Sequence, residues 1–84
     1  MSRYIRLVWD FFGETADGTA KHHLIHLEEF MTKEKIEYFN QGVDSKGELH
    51  ALAFITVQET DVKILRDALK PHRAFVEKLK IPSE

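Results

Sequence analysis

The sequence predicts an α+β fold, in which an antiparallel β-sheet carries two α-helices on one face. Runs of β-branched and aromatic residues alternate with apolar stripes of helical period, in the order strand, helix, strand, strand, helix, strand. The 84 residues correspond to one domain, so residues 1–84 are expected to form a single α+β domain. At this length only about 60% of the unfolded surface is buried on folding, so tight packing or a partner chain has to supply stability.

The composition excludes several classes of protein. The chain contains no cysteine, which excludes disulfides and thiolate metal sites. Its 12 basic and 14 acidic side chains are mixed along the sequence and form no electrostatic footprint for nucleic acid or an anionic membrane. No apolar run approaches the roughly 20 residues that a membrane-spanning helix needs, and Arg6 interrupts the apolar stretch near the start. We therefore expect a cytoplasmic protein that binds neither nucleic acid nor membranes.

The first strand and the first helix have the clearest patterns. Residues 4–12 are rich in β-branched and aromatic types and alternate in the manner of a strand. Gly13 breaks this strand, and a helix is expected over about residues 19–35, with Asp17 accepting from its free N–H groups. The stripe of this helix that faces the sheet consists of Ala20, Leu24, Leu27 and Met31, with His23 and Phe30 at its edges. Ile25 points away from the stripe.

The middle of the chain predicts two more strands and a second helix. Residues 36–43 read as a weaker strand, residues 44–47 have the composition of a turn, and residues 49–57 predict the third strand. Thr60 or Asp61 can cap the second helix. Its apolar stripe consists of Val62, Leu65, Ala68 and Leu69, and Pro71 ends it.

The C-terminal segment fits two structures. Alternation of Phe75, Leu79 and Ile81 fits a strand, with Glu77 as the exception. A helix with Pro71 at its first position is the alternative, and it is fitted by His72, Phe75, Val76 and Leu79. The strand is the favoured prediction, because without it the first strand would form an open edge of the sheet.

The predicted element order is that of the split βαβ plan of a ferredoxin-like sandwich. In this plan the first and third strands are central and antiparallel, and a register that places Trp9 opposite Ala51 pairs a large side chain with a small one. The other face of the sheet then carries apolar side chains, namely Tyr4, Val8, Phe12, Leu52 and Phe54. Soluble proteins avoid such a patch, and two-fold homodimers are the commonest oligomers. We therefore expect the same face of a second chain to cover it.

In this element order and patterning, over nearly its whole length, the sequence resembles the dimeric α/β-barrel superfamily. In that superfamily two ferredoxin-like chains stack sheet on sheet around a central cavity. The resemblance implies a homodimer that holds a small organic ligand between its paired sheets. The superfamily includes small monooxygenases, isomerases and haem proteins related to chlorite dismutase, so the fold selects neither a reaction nor a cofactor.

A candidate catalytic pair lies on the outer face of the predicted sheet. The same register places Asp10 opposite His50, where a carboxylate fixes the tautomer of an imidazole and makes it a stronger general base. An enzyme of this kind would use Arg6 to bind an anionic or carbonyl-bearing substrate, with Tyr4 and Phe54 completing the ligand-binding residues. The alternative is a polar pair at the rim of the dimer, without a catalytic role.

A candidate metal site lies on the first helix. His22, His26 and Glu29 project from one facet, and two histidines with a carboxylate are suitable ligands for zinc or another divalent ion. The alternative is a solvated polar helix face. The sequence therefore leaves four hypotheses, which are a ligand-binding homodimer, an enzyme that uses His50 and Asp10, a metal-binding protein, and a purely structural interaction module.

Overall fold

The computed structural model describes residues 3–77. These residues form strands β1 (Tyr4–Phe12), β2 (Tyr38–Gly47), β3 (His50–Gln58) and β4 (Arg73–Glu77) and helices α1 (Ala16–Glu34) and α2 (Val62–Leu69). A short 3-10 turn, Glu59–Asp61, leads into α2. The predicted α+β class and element order are confirmed, and the arrangement is compatible with a ferredoxin-like fold.

The sheet is antiparallel throughout and has the strand order β2-β3-β1-β4. Counted from the opposite edge, the order is β4-β1-β3-β2, so β1 and β3 are central, as predicted. The C-terminal strand is also confirmed over Arg73–Glu77, where it pairs with β1 and covers the edge that β1 would otherwise expose. Leu79 and Ile81, which the strand prediction included, lie outside the described residues.

The predicted register between β1 and β3 is wrong by two residues, because Trp9 lies opposite Ala53 and not Ala51. The side-chain period of a strand is two residues, so this slip leaves every side chain on its predicted face and the apolar pattern cannot detect it. The predicted turn at residues 44–47 is also wrong. β2 continues through Gly47, with a bulge near Ser45, and the chain reverses only after it.

Both helices pack on one face of the sheet, which we call the inner face. Its core consists of Ile5, Leu7, Trp9, Ala16, Ala20, Leu27, Met31, Ala51, Ala53, Ile55, Val57 and Leu65. The Trp9 indole N–H donates to the carbonyl of Leu69 over 2.8 Å, which joins the end of α2 to β1. Trp9 is thus a core residue, as predicted.

The apolar stripe of α1 is packed as expected, but the helix begins earlier than the predicted residue 19. It starts at Ala16, whose N–H donates to the carbonyl of Gly13 over 3.1 Å. Asp17 consequently lies inside the first turn, where its negative charge suits the helix N-terminus, and forms an ion pair with Lys21 at 3.1 Å. Within the part of the chain that the structure describes, neither helix has the length and apolarity to span a bilayer.

His23 lies between α1 and the sheet, with its ring 5.1 Å from that of Trp9 and 5.4 Å from that of Phe11. Its Nε2 is buried and has no hydrogen-bond partner among residues 3–77. Burial lowers the pKa of His23, and the neighbouring histidines lower it further. The neutral ring therefore packs at the edge of the core, against Trp9 and Phe11.

Candidate functional site

The face of the sheet opposite the helices, which we call the outer face, is less exposed than the sequence predicts. Val8 is 3% exposed and Leu52 is 7% exposed in the single chain. Thr56, on the same face of β3, is fully buried. The predicted apolar patch is therefore covered in part by long side chains of the same chain.

These side chains form a cleft on the outer face, with a volume of about 420 Å³. We call it the outer-face cleft, and its lining consists of Arg6, Val8, Asp44, Lys46, Leu52, Phe54, Arg73, Phe75, Val76 and Glu77. The two buried residues Val8 and Leu52 give it an apolar floor. Its volume lies within the range of roughly 300–1,000 Å³ that is usual for small-molecule sites.

The first group of charges in the cleft is organised by Glu77. Arg6 donates from Nε to Glu77 Oε1 over 3.0 Å and from Nη2 to Oε2 over 2.9 Å. The hydroxyl of buried Thr56 also donates to Glu77. Hydrogen bonding by Arg6 holds the pKa of Glu77 below its usual value, although burial acts in the opposite direction. Arg6 also lies over the ring of Phe54, 4.4 Å from its centre.

The second group of charges is organised by Asp10. Arg73 donates from Nη2 to Asp10 Oδ1 over 2.7 Å and from Nε to Oδ2 over 2.8 Å. His50 Nε2 lies 2.9 Å from the same Oδ1. Burial alone would raise the pKa of Asp10, but the hydrogen bonds from His50 and Arg73 outweigh it and lower the pKa. An ionised carboxylate only accepts hydrogen bonds, so His50 donates from Nε2 to Asp10.

The predicted contact between Asp10 and His50 forms, although the two residues are not opposite each other. Asp10 pairs with Leu52 and His50 pairs with Phe12, so the contact is diagonal across the two strands. The pair borders the outer-face cleft and is joined to its lining by Arg73.

The predicted ligand-binding residues divide between the cleft and its surroundings. Arg6 and Phe54 line the cleft, whereas Tyr4 does not. The Tyr4 ring packs edge-on against Phe39, with the ring centres 4.8 Å apart. The ligand-binding roles of Arg6 and Phe54 remain predictions. The structure adds the cleft that lies between these two side chains and β4.

The predicted metal ligands meet in a different arrangement from the one expected. His22 Nε2 and His26 Nε2 are 3.0 Å apart. Glu29 Oε1 lies 3.4 Å from the other ring nitrogen of His26, Nδ1. No cluster of three or more histidine and carboxylate side chains suited to a metal ion occurs within residues 3–77. The two histidines are thus a facing pair, and the carboxylate is behind one of them.

The sequence analysis missed the cleft residues of β2, which are Asp44 and Lys46, and the cleft residues of β4. Arg73, Phe75 and Glu77 alternate along this strand and point to the outer face, opposite Val8, Arg6 and Tyr4 respectively. The placement of cation, aromatic ring and anion at every second residue fits a strand with one partly polar face.

No family model, curated protein or solved structure matches this chain in the three comparisons with known proteins. The chain is therefore described by its fold and its site. It is a small α+β domain with a charged and aromatic cleft on the outer face of its sheet.

Because Glu77 is ionised in the folded chain, we expect the stability of the fold to fall in acid. Its pKa is lowered in the folded chain, so its contribution to stability is fully present above the unfolded value near 4.5 and is lost as the pH falls through the folded value. Glu77→Gln is expected to reduce the difference in unfolding free energy between pH 6 and pH 3, as measured by urea denaturation. The exposed carboxyl of Glu14 provides the control, Glu14→Gln. An unchanged difference in the Glu77 variant would contradict the prediction.

Proposed function

We propose that this chain is a ligand-binding domain of the dimeric α/β-barrel kind, which holds a small aromatic carboxylate or carbonyl compound in the outer-face cleft. One observation carries the proposal, which is that two cation–aromatic pairs line the same cleft. Arg6 lies 4.4 Å from the ring centre of Phe54, and Arg73 lies 5.5 Å from that of Phe75.

The guanidinium groups retain donors for a ligand. Glu77 and Asp10 each bind the edge formed by Nε and Nη2 of their arginine, and Nη1 of Arg6 and of Arg73 forms no hydrogen bond within residues 3–77. A guanidinium has five N–H donors, so the remaining ones are available to a carboxylate or a carbonyl oxygen. The rings of Phe54 and Phe75 suit a flat aromatic group, which stacks at ring-centre distances of about 4.5–7 Å.

A second copy of the chain is the proposed cover of the cleft. Phe75 remains 49% exposed in the single chain, and a paired sheet would bury it. Each cation of the lining has a carboxylate partner, in the pairs Arg6–Glu77, Arg73–Asp10 and Lys46–Asp44. Two such faces can approach without a net repulsion, as a two-fold interface requires.

The proposal is tested by titrating the protein with benzoate in a calorimeter, with cyclohexanecarboxylate as the non-aromatic probe. We expect benzoate to bind more tightly, and Phe54→Ala to weaken it about tenfold, because the loss of an aromatic contact costs about 1 kcal/mol. Phe12→Ala is the matched control, since Phe12 lies on the outer face of β1 but does not line the cleft.

Two results would contradict ligand binding at this cleft. One is equal weakening by Phe54→Ala and Phe12→Ala. The other is a native mass spectrum of protein purified from cells that shows no added mass, together with no measurable binding of benzoate or benzamide.

The contact between His50 and Asp10 favours a second candidate function, an isomerase-like or monooxygenase-like enzyme with His50 as the base. The Nε2 proton faces Asp10 at 2.9 Å, so Nδ1 would accept the substrate's proton. Arg73 shares the same carboxylate, which lessens the basicity that Asp10 can give to His50. A turnover that survives both His50→Gln and Asp10→Asn would exclude this function.

A further inference from the structure

We propose that His22 and His26 bind one Cu²⁺ or Ni²⁺ ion through their Nε2 atoms, on the solvent face of α1. The two Nε2 atoms are 3.0 Å apart, and the rings stand almost perpendicular with their centres 4.6 Å apart. Both side chains are exposed, so an ion can reach them from solvent. The two histidines are four positions apart, which places them on adjacent turns of the helix.

The spacing of the two nitrogens fits one type of ion more closely than another. With metal–nitrogen bonds of about 2.0–2.1 Å, two nitrogens 3.0 Å apart subtend an angle of roughly 95° at the metal. This is the angle between neighbouring ligands of a square-planar or tetragonal ion, the geometry of Cu²⁺ and Ni²⁺. Tetrahedral Zn²⁺ would need the two nitrogens about 3.4 Å apart. Cu²⁺ also forms the most stable complexes of the divalent first-row series.

Glu29 acts as a positioning residue for this pair. Its carboxylate lies 3.4 Å from Nδ1 of His26 and favours the tautomer with a proton on Nδ1, which leaves the Nε2 lone pair directed at His22. Before the ion binds, His22 donates its Nε2 proton to that lone pair. Binding of the ion requires the ring of His22 to release this Nε2 proton to solvent and to take up a proton on Nδ1. A carboxylate behind a ligating histidine orients the ring and increases its basicity.

This site is separate from the proposed ligand-binding function. α1 packs on the inner face of the sheet, whereas the cleft lies on the outer face. Water would fill the remaining coordination positions, since residues 3–77 bring no third ligand to the pair. An ion that joins two turns of α1 stabilises the helix in the folded state.

The experiment uses the full chain without an affinity tag, stripped of metal and titrated with CuCl₂. We expect one equivalent of Cu²⁺ with two nitrogen donors in its paramagnetic resonance spectrum, a rise in melting temperature, and binding at least tenfold tighter than that of Zn²⁺. His22→Gln and His26→Gln should each lose the two-nitrogen signal. Glu29→Gln should retain it with about tenfold weaker affinity.

His72→Asn is the matched control, because it removes one exposed histidine and keeps an acceptor for the N–H of Asp10. It should bind Cu²⁺ as the unchanged chain does. Circular dichroism establishes that the helix persists in each variant. Persistence of the two-nitrogen signal in His22→Gln, or binding of Zn²⁺ as tight as that of Cu²⁺, would overturn the proposal.

Discussion

Replacing Leu65 by alanine is expected to lower the free energy of unfolding by about 3 kcal/mol, within the usual range for a buried leucine. Leu65 is fully buried, and within the described part of the chain it is the buried residue of α2. A helix of eight residues is not stable by itself in water, so its attachment depends on this packing. The substitution leaves a cavity under α2 and releases the helix from the sheet.

The effect is large for a domain of this size. At roughly 0.05–0.15 kcal/mol per residue, the whole chain has a stability of about 4–13 kcal/mol. Ile64→Ala is the matched control, because Ile64 is the preceding residue and is 51% exposed, and it should change stability by less than about 0.5 kcal/mol. Urea denaturation followed by Trp9 fluorescence measures the stability of both variants, since the Trp9 indole is hydrogen-bonded to the end of α2. Similar losses in the two variants would contradict the packing described for α2.

The second large effect is expected from Phe75→Lys, which should convert a homodimer into a folded monomer. Phe75 lies opposite Arg6 and next to Arg73 in space, so a new ammonium group would find two cations and no unpaired carboxylate there. In the monomer position 75 is exposed and tolerates a charge. In the proposed dimer the same position would be buried between two sheets, where a charge is not tolerated. An unpaired buried charge costs several kcal/mol, so the dimer should weaken at least about a thousandfold.

Native mass spectrometry and sedimentation at several concentrations measure this change. Ile25→Lys is the control, because Ile25 is an exposed apolar residue on α1, away from the outer face. A variant of Leu52 is less informative, since this side chain is already buried in one chain and its replacement by a charge would unfold the monomer. If the unchanged protein is a monomer, or if Phe75→Lys remains a dimer, the outer face is not the interface.

The sequence predicted correctly those elements that depend on patterns within a few consecutive residues. The bounds of β1 and the buried stripe of α1 follow from alternation and from helical period within a few consecutive residues. The register of β3 did not follow, because a shift of two residues preserves the side-chain faces. The turn after β2 was misplaced, because Asp44 and Ser45 have turn chemistry but are held in the strand by pairing with β3.

The site was predictable on the two central strands, β1 and β3, whose side-chain faces follow from alternation. Arg6 and Asp10 could be assigned to the outer face, since they alternate with the core residues of β1. Their partners Glu77 and Arg73 could not, because the C-terminal segment fitted both a strand and a helix and its pairing with β1 is a long-range contact. The exposed outer face inferred from β1 and β3 alone therefore lacked the side chains that line the cleft.

The two arginine–carboxylate pairs of the cleft have a consequence for how the protein is made. Arg6 and Glu77 are 71 residues apart in sequence, and Asp10 and Arg73 are 63 apart. A ribosome releases the N-terminal partner of each pair long before the C-terminal one, so β1 and β3 can pair while the cleft does not yet exist. During that interval the nascent chain presents an unpaired edge of β1 with an unmatched guanidinium and carboxylate, a surface prone to association with other strands. The cleft and the protection of this edge are thus acquired in one step, when β4 emerges.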